Sequence, residues 1–89
     1  KRGRETAQVL EMTEQDHSLL DALKALRLRL AHDRRVPAYV IFSDRTLADM
    51  AARKPRDEAG FAQVNGVGAA KLREFAAVFL AAIREHEAA

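Results

Sequence analysis

Val64-Asn65-Gly66-Val67-Gly68-Ala69-Ala70-Lys71 is an apolar-x-Gly-apolar-Gly-x-x-Lys run that opens directly into an amphipathic segment. Two glycines around one apolar residue allow the backbone to turn with positive φ at no Cβ penalty, while Val67 plugs the turn into a core. The run therefore reads as a hairpin feeding a helix N-terminus. Orphan N–H groups there, the positive end of the helix dipole and Lys71 one turn in together form a grip for an anionic oxygen, and the phosphates of nucleic acid are the natural source of one. The same Gly-x-Gly turn also serves as a plain connector between packed helices.

Outward from this turn the chain reads as helix in both directions. Downstream, Leu72, Phe75, Ala76, Phe79, Leu80 and Ile83 form a broad apolar stripe at helical spacing on a final helix. Upstream, Asp57 caps a brief helix through Phe61, and Ser43 or Asp44 caps a helix with core residues Leu47, Met50 and Ala51 that Pro55 ends. Tyr39-Val40-Ile41-Phe42 brings four β-formers together, but no partner strand is visible elsewhere, so a helical turn is expected. Before it, Leu19, Leu23, Leu26 and Leu30 share one face of a long helix that starts from Asp16 as N-cap. Pro37 stops that helix near Arg35, because proline disfavours α geometry at Val36 and donates no backbone hydrogen bond. Residues 1–14 are polar and charge-rich apart from Val9, Leu10 and Met12, which suits a linker or N-terminal extension and leaves residues 15–89 as the domain. The expected architecture is all-α, a compact five-helix bundle.

At 89 residues the chain makes one domain, too small for a large active-site cleft. Without cysteine it has no disulfide framework, thiolate zinc site or thiol nucleophile, which fits a reducing intracellular compartment. No apolar run approaches the roughly 18–20 residues that cross a bilayer, and the N-terminus is charged, unlike a signal peptide. A cytoplasmic monomer is expected. The chain begins at Lys1 rather than methionine and reads as a piece of a longer polypeptide, so its function is expected to belong partly to other domains.

Fifteen basic and 13 acidic side chains leave a net charge of only +2, so any electrostatic footprint must be local. Arg27, Arg29, Arg34 and Arg35 fall in the second half of the first helix, and Arg53, Lys54 and Arg56 surround Pro55. A protein that neutralises few phosphates binds weakly, at about micromolar affinity or poorer. Catalysis is not expected. His17, His32 and His86 are scattered with no acid or hydroxyl partner at a recognisable spacing and form no metal-binding pattern. Ser18 and Ser43 suit helix caps, and the neighbours Asp57 and Glu58 do not face one another on a helix. Gly66-x-Gly68 lacks the Gly-Lys-Ser/Thr ending of a nucleotide-binding loop, so no cofactor or metal is expected in this domain.

The block Val36-Pro37-Ala38-Tyr39-Val40-Ile41-Phe42-Ser43-Asp44-Arg45-Thr46-Leu47, then Met50-Ala51, Pro55 and Val64-Asn65-Gly66-Val67-Gly68 with Lys71-Leu72, resembles the HRDC domain, named for helicase and RNase D C-terminal regions. The resemblance covers about residues 16–86, and the Asn-Gly-Val-Gly turn is most similar to bacterial RecQ versions. It implies a five-helix bundle with a turn like that of a helix-hairpin-helix. As function it implies an accessory nucleic-acid-binding or regulatory module of a RecQ-type ATP-dependent 3'-5' DNA helicase acting in repair and recombination. ATP and magnesium would then belong to the parent's helicase core. The implied partners are single-stranded or branched DNA, bound weakly, the parent's other domains and repair proteins; the implied location is the bacterial nucleoid.

Carried over residue by residue, the resemblance makes Tyr39 the principal contact to single-stranded DNA. Arg34 and Arg35 would neutralise flanking phosphates, with Arg45 and Lys54 as further contacts and Gly66, Gly68 and Lys71 as the phosphate-gripping turn. The chain departs from strongly basic members by placing Asp33, Asp44, Asp49, Asp57 and Glu58 near the same loops. Two alternatives stay open: a docking module for protein partners or neighbouring domains, and the RNA-positioning domain of an RNase D-type nuclease.

Overall fold

The computed structural model describes residues 12–88, so Val9 and Leu10 lie outside the described residues. Helix α1 (Glu14–Arg34) starts from Thr13 rather than Asp16. The Thr13 hydroxyl accepts from the Asp16 backbone N–H at 3.1 Å, and the Asp16 carboxylate accepts from the Thr13 N–H at 3.2 Å. This reciprocal pair satisfies two orphan donors at once, which makes Asp16 the third residue of the helix and not its cap. Met12, assigned by sequence to the extension, is buried in the core.

Helix α1 ends because Arg35 takes a left-handed conformation, with φ 58° and ψ 44°. The Arg35 and Val36 N–H groups turn back onto the carbonyls of His32 and Ala31, at 3.1 and 3.0 Å. Pro37 therefore follows the stop instead of making it, and becomes the N-cap of α2 (Ala38–Ile41). The run of β-formers is thus a helical turn, as expected, and no strand occurs among the described residues.

Ser43 caps α3 (Asp44–Arg53), its hydroxyl accepting from the Thr46 N–H at 3.1 Å. Lys54, again left-handed at φ 48°, closes α3 ahead of Pro55. Asp57 caps α4 (Glu58–Ala62) through the Gly60 N–H at 2.8 Å, and α5 (Ala69–Ala88) completes the bundle.

Helices α1 and α5 run antiparallel: Ser18 meets His86 at one end and Arg34 meets Glu74 at the other. Between them and α3 lies a core in which Leu19, Leu23, Leu47, Met50, Phe61, Phe79 and Ile83 are almost completely buried. Leu30 and Leu72, expected in the core, are half-buried and pack against it. All four phenylalanines converge. Phe42 meets Phe79, Phe75 and Phe61 edge-on, at centroid distances of 5.2, 5.6 and 6.2 Å. Such pairs add about 0.5–1.5 kcal/mol each to the area they bury.

The hairpin uses one glycine, not two, for its turn. Gly66 has φ 89°, and a Cβ there would run into the Thr46 hydroxyl. Gly68 has no positive φ, and a Cβ there would meet nothing within 4 Å. Its carbonyl accepts the first bond of α5, from the Leu72 N–H at 2.9 Å, which places Gly68 at the N-cap position.

Three outcomes follow for stability, all readable by urea denaturation. Phe79→Ala is expected to cost about 3–5 kcal/mol, enough to unfold much of so small a domain. Gly66→Ala is expected to cost more than about 1 kcal/mol, because it combines left-handed strain with a clash. Gly68→Ser, at a position where serine is a preferred cap, is expected to stay within about 0.5 kcal/mol of wild type or exceed it.

Candidate nucleic-acid interface

Tyr39 sits in the middle of the α2 turn and is 73% exposed, the most exposed large hydrophobic side chain among the described residues. Its neighbour Val40 is 42% exposed, whereas Ile41 and Phe42, next along the chain, are buried. A four-residue helix with no side-chain cap cannot hold itself. Its support comes from outside. The Lys71 ammonium, from the first turn of α5, donates to the Val40 carbonyl and to the Ile41 carbonyl at 2.7 Å. From α1, Arg27 donates to the Phe42 carbonyl at 3.0 Å and pairs with Asp44 at 2.8 Å. Three successive carbonyls are thereby held by two cations.

Lys71 also lies 5.5 Å from the centroid of the Phe42 ring and 5.8 Å from that of Phe75, over both faces. Its charge is thus turned inward onto carbonyls and rings, where the sequence suggested a hand held out to phosphate. Arg34 likewise lies over Phe75, at 4.8 Å, and pairs with Glu74. Arg35, exposed and fixed by its left-handed backbone, makes no ion pair among the described residues. Tyr39, Arg34, Arg35 and Lys71 are therefore brought to one end of the bundle.

The remaining sequence candidates divide. Gly66 packs against Thr46, next to exposed Arg45 in the first turn of α3. The hairpin is anchored by an acid: the Asp49 carboxylate accepts from the Asn65 N–H at 2.8 Å and from Arg53 Nε at 2.8 Å. The N–H that opens the turn is thus taken by a carboxylate, while the first N–H groups of α5 lie further along, after Gly68. Lys54 pairs with Asp16, 18 residues along α1 from Arg34, about 27 Å away at 1.5 Å per residue. It does not belong to the Tyr39 surface.

Sequence reasoning noticed Arg27 only as part of a basic cluster. The available signal was its place beside Leu23, Leu26 and Leu30 on the apolar face, where a charged group must have partners. Glu74 and Asp49, the acids that engage Arg34 and the hairpin, carried no such signal. Among the described residues no three His, Asp or Glu side chains converge as a metal site, and no helix is long and apolar enough to cross a membrane.

The five-helix bundle, its Tyr39 turn and its glycine hairpin together define an HRDC domain, and the family model for that domain matches residues 16–83. The chain belongs to the HRDC family. It is 40% identical over 73 residues to the ATP-dependent DNA helicase RecQ of Haemophilus influenzae, covering 82% of this chain and 12% of that protein. It is 41% identical over 69 residues to the ATP-dependent DNA helicase UvrD2 of Mycobacterium tuberculosis, covering 78% of this chain and 10% of that one. Among solved structures it is similar to the third HRDC domain of the D. radiodurans RecQ, with a TM-score of 0.76 and 34% identity over 79% of this chain and 92% of that one. The chain thus spans roughly a tenth of the length of the helicases it matches.

Two carboxyls in this bundle lie below their ordinary range. Asp16 is lowered mainly by its hydrogen bond to Lys54, and Asp44 mainly by its hydrogen bond to Arg27. A carboxyl depressed in the folded state adds stability above its unfolded pKa of about 3.9, and that increment disappears as the pH falls through the folded value. Asp16→Asn is therefore expected to lower the melting temperature at pH 7, with the gap to wild type closing on acidification below about pH 4. Thermal unfolding followed by circular dichroism at a series of pH values measures this.

Proposed function

We propose that this chain is an accessory DNA-binding domain of a RecQ-type ATP-dependent helicase, and that it holds unpaired DNA through Tyr39. The observation that carries the reading is an exposed aromatic ring on a turn whose backbone is fixed from two sides. Such a ring stacks under any unpaired base, because every base has a π-face. Arg35 stands at the same end, exposed and with no ion pair among the described residues, and Arg34 shares its charge with Glu74. Few phosphates are neutralised, so binding is weak and shallow in its salt dependence.

Weak binding suffices in a tethered domain. A short flexible linker supplies an effective concentration in the millimolar range, so a micromolar contact biases which strand or junction the motor engages. ATP and magnesium act in the parent's motor domains, and the whole protein works on the bacterial nucleoid in repair and recombination. A second reading is favoured by the ion pairs: Arg27, Arg34, Arg53, Lys54 and Arg56 all hold carboxylates of this same chain. A surface so balanced suits docking against the parent's other domains or a repair protein.

Fluorescence anisotropy with a labelled single-stranded oligonucleotide at low salt separates the two. Tyr39→Ala is expected to weaken binding about 5- to 150-fold, matching roughly 1–3 kcal/mol of base stacking, with stability unchanged. Tyr39→Phe should retain most of the affinity. No saturable binding up to about a millimolar, the concentration a tether supplies, would leave the docking reading in its place. A strong preference for RNA of the same sequence would instead support an RNase D-type role.

A further inference from the structure

Three consecutive backbone carbonyls, those of Val40, Ile41 and Phe42, are engaged by side chains from two helices that are far apart in sequence. Elsewhere, side chains bond the backbone as the caps of α1, α3 and α4 and as the Asp49 anchor on Asn65. Those bonds satisfy backbone N–H groups, whereas in this turn it is the carbonyls that are gathered, by two cations.

The turn needs them. An α2 of four residues leaves its last carbonyls without helical partners, and they carry the negative end of a small dipole. Lys71 supplies a charged donor to two of them, and Arg27 supplies one to the third. Arg27 is largely buried and has a second role in pairing with Asp44, while Lys71 is steered inward by the Phe42 and Phe75 ring faces. Neither cation is turned outward toward a ligand.

We infer that Arg27 and Lys71 are positioning residues: they preset the backbone that aims the Tyr39 ring and make no phosphate contact themselves. This inference rests on the reading of Tyr39 as the DNA-stacking residue. It differs from the sequence expectation for Lys71, in which its charge would meet DNA directly. The two roles differ in how affinity responds to salt. A lost phosphate contact lowers the salt slope by about one unit, whereas a lost positioning contact lowers affinity and leaves the slope alone.

The chain carries its own probe. It has one tyrosine and no tryptophan, so its tyrosine emission, and the quenching of that emission by acrylamide, report on Tyr39 alone. The experiment titrates a labelled single-stranded oligonucleotide into the 89-residue chain at several salt concentrations. The proteins are wild type, Tyr39→Ala, Lys71→Met, Lys71→Arg, Arg27→Lys and the double variant Tyr39→Ala/Lys71→Met. Tyrosine quenching and circular dichroism are recorded on each free protein that retains the ring. Lys71→Met keeps an aliphatic chain over the phenylalanine rings, and Arg27→Lys keeps the positive charge while losing the two-pronged hold, so at least one is expected to remain folded.

Lys71→Met and Arg27→Lys are each expected to weaken binding about 3- to 30-fold with the salt slope unchanged and tyrosine quenching altered; Lys71→Arg should restore both. In the Tyr39→Ala background, Lys71→Met should cause no further loss. A slope lower by about one for Lys71→Met, with the same fold-loss whether or not Tyr39 is present, would overturn the inference and return Lys71 to phosphate contact. Unchanged quenching in both folded variants would also overturn it. Failure of the underlying reading looks different: Tyr39→Ala then binds as wild type does.

Discussion

The structure depends on where the Phe42 ring sits. It is the only phenylalanine outside the second half of the chain, and it reaches across to meet Phe61, Phe75 and Phe79. That single side chain ties the turn after α1 to α4 and α5. Because interiors pack at close to crystalline density, a ring held edge-on by three others has little freedom to shift, and the backbone beside it has little more. Tyr39 lies three residues away on that backbone. One end of a short segment is thus buried in the core, while its middle stands in solvent. Burial at one residue is converted into presentation at another.

The charges follow the same logic. On paper a net charge of only +2 leaves room for no more than a local basic patch. In the folded molecule most of the cations near the candidate surface are turned toward carbonyls, rings or carboxylates, and they hold helices in place. Exposed pairs of this kind contribute little individually, about 0–1 kcal/mol, whereas the partly buried Arg27 and Lys71 bonds end on carbonyls that would otherwise lose their partners.

Much of this was legible in the sequence. The helical periodicities, the caps at Ser43 and Asp57 and the helical turn at residues 38–41 follow from spacing and side-chain chemistry, and the paired motif blocks pointed to the family. The differences have physical causes. Arg35 and Lys54 end their helices in a left-handed conformation that sequence rules assign to glycine or asparagine, so those rules place the stops at the neighbouring prolines instead. Thr13 and Asp16 cap one another, and a reciprocal pair is easily misread as its more acidic member. Gly68 looked like a second hinge because glycine pairs suggest tight turns, yet only Gly66 is required to be glycine by its backbone and by Thr46. At the candidate site, the tyrosine was readable, since an exposed ring needs no partner. The inward turn of Lys71 was not, because it depends on carbonyls 30 residues away in the chain.

The Ser18–His86 contact has a consequence for how such a unit can be built into a longer chain. It brings the beginning of α1 beside the end of α5, while Arg34, at the other end of α1, lies about 24 Å from Ser18 at 1.5 Å per residue, and the turn that carries Tyr39 follows from that end. The first turns of α1 and the last turns of α5 thus share one side of the described bundle, away from the α1 end that leads into the Tyr39 turn. The bundle is therefore shaped as a pendant: it can hang from a polypeptide like a bead on a short stalk, without interrupting the path of the chain that carries it.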